Sequence, residues 1–114
     1  MTQILMFKKQ MKIKLMEKMR DEARYILTEL GIDEKDFSLY PAELSGGMAK
    51  RVALARCLCF DADAYFIDEP LEALDEDTKK TVSAFLIKYL KGKTAVISTH
   101  DPELADMADH RIKL

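Results

Sequence analysis

The chain has 114 residues, 48% of them hydrophobic and 33% charged, enough apolar content for one modest folded unit and too much for a disordered tail. A formal net charge of -2 removes any broad electrostatic reason to expect nucleic acid, whose partners concentrate basic charge. No apolar run approaches the roughly 18 residues of a membrane-spanning helix, and Ile4 to Phe7 is too short for a signal-peptide core, so a cytosolic protein is expected.

In chain order, the first feature is a basic stretch over residues 8–20, where Lys8, Lys9, Lys12, Lys14, Lys18 and Arg20 face one acid, Glu17. Most simply this is a solvated helix face; the alternative is attraction to an anionic surface or partner. Met11, Leu15, Met19, Ala23, Ile26 and Leu30 recur at steps of three or four, which predicts one stripe of an amphipathic helix ended by Gly31. Residues 32–44 read as a loop or short helix. Ser45 is a candidate N-cap for a helix over Met48 to Phe60, rich in Ala, Leu, Arg and Lys. Cys57 and Cys59 lie in it on nearly opposite sides, so they cannot bridge each other, and buried structural thiols in a reducing compartment are expected.

Ala64 to Ile67 is a compact apolar run predicting a buried strand that delivers Asp68 and Glu69 at its carboxyl end, with Pro70 closing it. Thr78 to Leu90 returns to helical spacing and stops at Gly92. Thr94 to Ile97 predicts a second strand ending in Ser98, Thr99 and His100. Strand, helix, strand implies parallel pairing. A last short helix is expected from Pro102 to Asp109, then a third small strand from Arg111 to Leu114.

Two of these places carry chemistry on residue type alone. Ser45, Gly46 and Gly47 precede a helix, where a hydroxyl and backbone amides converge on a positive helix end that suits an anion. Cap and turn residues without function use the same types. Asp68 and Glu69 end a strand, where one carboxylate can hold a hydrated magnesium ion and the next can orient a water. Turn acids beside a proline are the plainer alternative. Calcium binding by the acidic stretch Asp61 to Asp77 is disfavoured, because no glycine falls where a calcium loop of the EF-hand type needs one.

Taken together, the segments resemble the ABC ATPase family. Leu44 to Arg56, reading LSGGMAKRVALAR, is similar to its signature and following helix. Tyr65 to Pro70, YFIDEP, resembles Walker B; Glu72 to Asp75 resembles the D-loop; Ser98 to Asp101 resembles the switch region. All four stand in the family's order and spacing. The resemblance implies a P-loop NTPase α/β fold: a helical signature subdomain over residues 1–60 and part of a RecA-like parallel sheet over 61–114. It further implies that Ser45, Gly46 and Gly47 contact the γ-phosphate of an ATP held by the opposite subunit. Asp68 would hold magnesium through water, Glu69 would polarise the hydrolytic water, His100 would contact the γ-phosphate, and Asp75 would couple the two sites. Met48 replaces the usual glutamine, as in importer ATPases for nitrate, sulfonate or taurine, and Glu72 replaces a frequent serine.

A phosphate loop of the form G-x-x-x-x-G-K-[ST] is not found in these 114 residues. Gly92, Lys93 and Thr94 supply its last three positions, but Ile87 stands at the first glycine and the order there is helix then strand. Walker A, the adenine-stacking aromatic and the Q-loop would lie ahead of residue 1, with the Walker A strand missing from the sheet. The expected partners are a second ABC ATPase subunit or a complementing N-terminal half, a transmembrane permease contacted by the helical subdomain at the inner face of the membrane, and further copies of the chain through an open sheet edge. ATP and magnesium are expected only with a complementing Walker A, and little or no ATPase activity from the isolated chain. The alternative is a non-catalytic, truncated or decayed ABC module that acts in protein interaction alone. A soluble ABC protein of DNA repair or translation is disfavoured, since no long coiled coil precedes Leu44.

Overall fold

The computed structural model describes residues 17–113. Helix α1, described over residues 17–29, ends in a Schellman turn: the Gly31 N–H donates to the Thr28 carbonyl (3.0 Å) and the Ile32 N–H to the Leu27 carbonyl (2.9 Å). Gly31 adopts φ +84°, a left-handed conformation that favours glycine, so the expected stop lies where the sequence put it. The stripe is narrower than its periodicity suggests. Ile26 and Leu30 are buried, whereas Met19 is 47% exposed. Met11 and Leu15 lie outside the described residues, as do Ile4 to Phe7 and most of the basic stretch; Lys18 and Arg20 are exposed.

Residues 32–44 hold two 3-10 turns, Glu34–Asp36 and Pro41–Glu43. Helix α2 runs from Gly46 to Cys59 and helix α3 from Glu76 to Tyr89. Both begin two residues earlier than expected, because the side chains of Ser45 and Asp75 cap their first turns. Strands β1 (Tyr65–Asp68) and β2 (Ala95–Ser98) form a two-stranded parallel sheet in which Tyr65 pairs with Ala95 and Asp68 with Ser98. Each strand sits one residue later than expected. Helix α4 spans only Pro102–Asp106.

One core joins the elements: Ile26 and Leu30 of α1, Leu54, Ala55 and Leu58 of α2, Tyr65 and Ile67 of β1, and Val82, Phe85 and Leu86 of α3. Ile26, Leu30, Leu58, Val82 and Leu86 are fully enclosed, each contributing about 1.5–3 kcal/mol by burial. Tyr89 ties three helices together, its hydroxyl lying 2.9 Å from the Leu58 carbonyl and 3.0 Å from a Glu22 carboxylate oxygen.

Three expectations need correction. Strand β1 is buried on one face only, since Tyr65 and Ile67 point into the core while Phe66 is 77% exposed. Its register partner Val96 is 57% exposed, so the second sheet face is apolar and bare among the described residues. The expected strand over Arg111 to Leu114 does not form over 111–113, and Leu114 lies outside the described residues. Ile112 is 86% exposed and has no strand to pair with, so its β-branched side chain finds no surface to pack on. Cys57 and Cys59 are free thiols, half-buried rather than enclosed. Burial first, and Glu22 second, push the Cys59 thiol above its ordinary range.

Candidate functional site

The carboxyl ends of β1 and β2 lie side by side because the register is end to end, with Asp68 opposite Ser98. The Ser98 hydroxyl donates to Asp68 Oδ1 and accepts from the Glu69 N–H at 3.0 Å, while the same N–H donates to the Ser98 carbonyl at 2.9 Å. One hydroxyl therefore holds both acids in place. Neither the resemblance nor the composition singled out Ser98 for this. The signal lay in the two apolar runs, each closing on a polar residue, which meet once the runs are aligned.

Glu69 leaves the strand at φ 46°, a left-handed conformation uncommon for a residue with a side chain. Such strain persists where surrounding contacts over-determine it, and here Ser98 fixes the Glu69 amide while Pro70 is buried behind it. The turn brings Glu69 Oε1 to 3.1 Å from His100 Nε2; the Glu69 side chain is 22% exposed and that of His100 is 96% exposed. Glu69 and His100 line an open cleft shared with Glu72, Lys79, Asp101 and Glu103. Asp68 points away from it, to the exposed side of the strand end. Adjacent residues facing opposite ways give the two acids separate surroundings.

Asp101 caps α4 through a 2.8 Å bond from the Leu104 N–H, and the Thr99 hydroxyl accepts from the Asp101 N–H at 3.0 Å. The loop carrying His100 is thus held on its carboxyl side by a helix cap and on its amino side by strand β2.

Ser45, Gly46 and Gly47 do not line this cleft. The Ser45 hydroxyl accepts from the Met48 N–H at 3.1 Å, which makes it the cap of α2. A Cβ built on Gly46 meets nothing within 4 Å, so its backbone is open to approach, whereas one on Gly47 meets a Leu74 methyl at 3.5 Å. Leu74 belongs to the turn before α3, and the Glu72 carboxylate of that turn lies 3.8 Å from Lys50 Nζ. Asp75 caps α3, accepting from the Thr78 N–H at 2.8 Å. That bond and the Thr78 hydroxyl, more than the nearby Arg51 charge, hold the Asp75 carboxyl below the usual carboxylate range.

No three His, Cys, Asp or Glu side chains cluster for a metal among the described residues. A magnesium ion bound with a nucleotide does not ask for such a cage, because it takes one or two carboxylates and fills its octahedron with water and phosphate oxygens. The single exposed Asp68 carboxylate, steadied by Ser98, fits that demand.

Known proteins resemble this chain in sequence and fold. The ABC transporter family profile matches residues 2–72. The chain is 47% identical over 88 residues to the taurine import ATP-binding protein TauB of Ruegeria pomeroyi, covering 75% of this chain and 32% of that one. It is 41% identical over 101 residues to the sulfate/thiosulfate import ATP-binding protein CysA of Anthoceros angustus, covering 86% and 26%. The chain thus spans about a third or less of the length of the curated relatives it matches. Among solved structures, the dimeric cassette MJ0796 superposes with a TM-score of 0.72 at 34% identity, over 82% of this chain and 41% of that one. The same cassette has been seen dimeric with ADP and phosphate bound. With family profile, relatives and fold in agreement, the chain belongs to the ABC transporter ATP-binding family and corresponds to part of its P-loop NTPase cassette, related to import ATPases.

Proposed function

We propose that the chain supplies the signature turn, the strand-end acids and the switch histidine to an ABC ATPase that energises membrane transport, working with a chain that carries Walker A. The observation that supports this is that Asp68 and Glu69, bridged by Ser98, and His100, paired with Glu69, all lie at the carboxyl ends of two adjacent parallel strands. Open α/β sheets bind their ligands there. Residues 1–60 form the helical subdomain of this assembly and residues 61–114 part of its RecA-like core.

In the proposed role Glu69 orients the attacking water from the cleft floor, and His100, nearly free of the protein surface, reaches the γ-phosphate. Their 3.1 Å contact keeps the imidazole aligned with the acid. Asp68 would hold magnesium, which when bound would supply positive charge against the phosphate oxygens. Ser45, Gly46 and Gly47 present a hydroxyl and open backbone amides to the γ-phosphate of an ATP bound on the opposite subunit, and Asp75 couples the two sites. Phosphoryl transfer depends on such positioning and charge stabilisation. The partners are a second ATPase subunit or complementing half, as in the dimeric MJ0796 cassette, and a permease reached through the helical subdomain. This places the chain at the inner face of a membrane. Import is favoured by the TauB and CysA similarities. A purely interacting, non-catalytic module is the second reading.

The test is ATP turnover by the chain mixed with a complementing Walker A chain, with and without Glu69→Gln. Turnover should fall by about 100-fold or more while ATP is still bound, as expected on losing a group that acts in the transition state. Equal turnover by wild type and variant would leave the non-catalytic reading standing.

A further inference from the structure

Arg51 sits one turn into α2 and is half-buried. Its Nε donates to the Gly47 carbonyl at 3.1 Å, and its Nη1 donates to the Leu30 carbonyl at 3.1 Å and the Gly31 carbonyl at 3.3 Å. The first bond grips the turn that follows Ser45. The other two grip the end of α1, where the helix leaves carbonyls without intrahelical partners. The fit is close: a Cβ placed on Gly31 would stand 3.2 Å from Nη1, so the glycine clears space for the guanidinium as well as supplying the left-handed φ. Asp75 lies within reach of the same positive charge. A single side chain thus touches the carboxyl end of α1 and the first turn of α2 and lies close to the cap of α3.

We infer that Arg51 is the positioning residue of the Ser45–Gly47 turn, its planar guanidinium clamping that turn to the end of α1 so that the open Gly46 backbone keeps a fixed direction toward an incoming phosphate. Resting on the nucleotide role proposed above, this clamp adds a residue that touches no substrate. Lysine cannot replace it. An ammonium is a single point of charge and has no second nitrogen set to bond Gly47 while another bonds Leu30 and Gly31.

The experiment compares wild type, Arg51→Lys and Arg51→Ala as full chains, well below their melting temperatures, in two ways. In the chain alone, the amide resonances of Gly46, Gly47 and Ile32 should move in Arg51→Lys while those of Ile67 and Val82 hold. In the complemented assembly, kcat should fall about 10- to 100-fold with the KM for ATP little changed, as a misplaced turn costs rate more than ground-state binding. Unmoved glycine resonances in both variants, or a lowered melting temperature with kcat intact, would overturn the clamp. If the wild-type assembly shows no turnover at all, the proposed function fails instead, and the amide shifts still decide the role of Arg51.

Discussion

At the scale of single residues, the hydroxyl of Ser98 and the carboxylate of Asp75 show how much depends on small caps and bridges. Asp75 is exposed, yet bonds from Thr78 hold its carboxyl below the usual range. A folded value below the unfolded one contributes stability that is present above the unfolded value and lost as pH falls through the folded value. Asn in its place still accepts the bond from the Thr78 N–H but does not titrate. Thermal melts of Asp75→Asn should therefore show a shallower loss of melting temperature than wild type as pH falls below the ordinary carboxylate range; parallel curves would exclude this contribution. That Asp68, Glu69 and His100 lie at the ends of two strands, and that Ser45 caps a helix, was legible in the sequence because apolar runs closed by polar residues mark such ends. Ser98 as the bridge between Asp68 and the Glu69 amide was not, since it follows from strand register, which pairs positions 30 residues apart. Nor did local sequence show the left-handed φ of Glu69, because proline at position 70 restricts its neighbour without choosing among the remaining conformations.

Among the elements, helices α2 to α4 and strands β1 and β2 were readable in type and order; α2 and α3 start two residues early where a side-chain cap sets them, and each strand starts one residue late. Burial was harder to read. Phe66 and Val96 stand in β-branched and aromatic runs that look fully enclosed, but which face is covered depends on elements packed from outside the strand. Met19 shows the same limit on a helix. The contact that binds α1, α2 and α3 is the Tyr89 hydroxyl. Burial, and then Glu22, raise this phenol above its ordinary range. A raised folded value means that its contribution is complete below about pH 10, the unfolded tyrosine value, and is lost as pH rises through the folded value. Tyr89→Phe should cost about 1 kcal/mol, or a fall of about 4–8 °C in melting temperature, at neutral pH. Phenylalanine keeps the ring beneath Lys93, whose ammonium lies 3.7 Å from its centroid, so the loss reports the hydroxyl alone. An unchanged melting temperature would show that neither the Leu58 carbonyl nor Glu22 needs it.

For the molecule as a whole, the site elements and the bare sheet face belong to one design. Parallel sheets are covered on both faces in folded α/β proteins, and here Phe66 and Val96 face outward at adjacent register positions. In the proposed assembly the complementing chain covers that face and also brings the phosphate loop, so structure and chemistry are completed in one step. No helix among the described residues is long and apolar enough to cross a membrane. The same bare face makes association between copies the expected fate of the chain when nothing covers it.

The most direct measurement is magnesium-ATP binding and hydrolysis by the purified chain, alone and then mixed with a chain bearing G-x-x-x-x-G-K-[ST]. Negligible binding and turnover alone, with both appearing on mixing, is the predicted result. Tight retention and steady hydrolysis of ATP by the solitary chain would contradict it, since Asp68, Glu69 and His100 would then be acting without a borrowed triphosphate site.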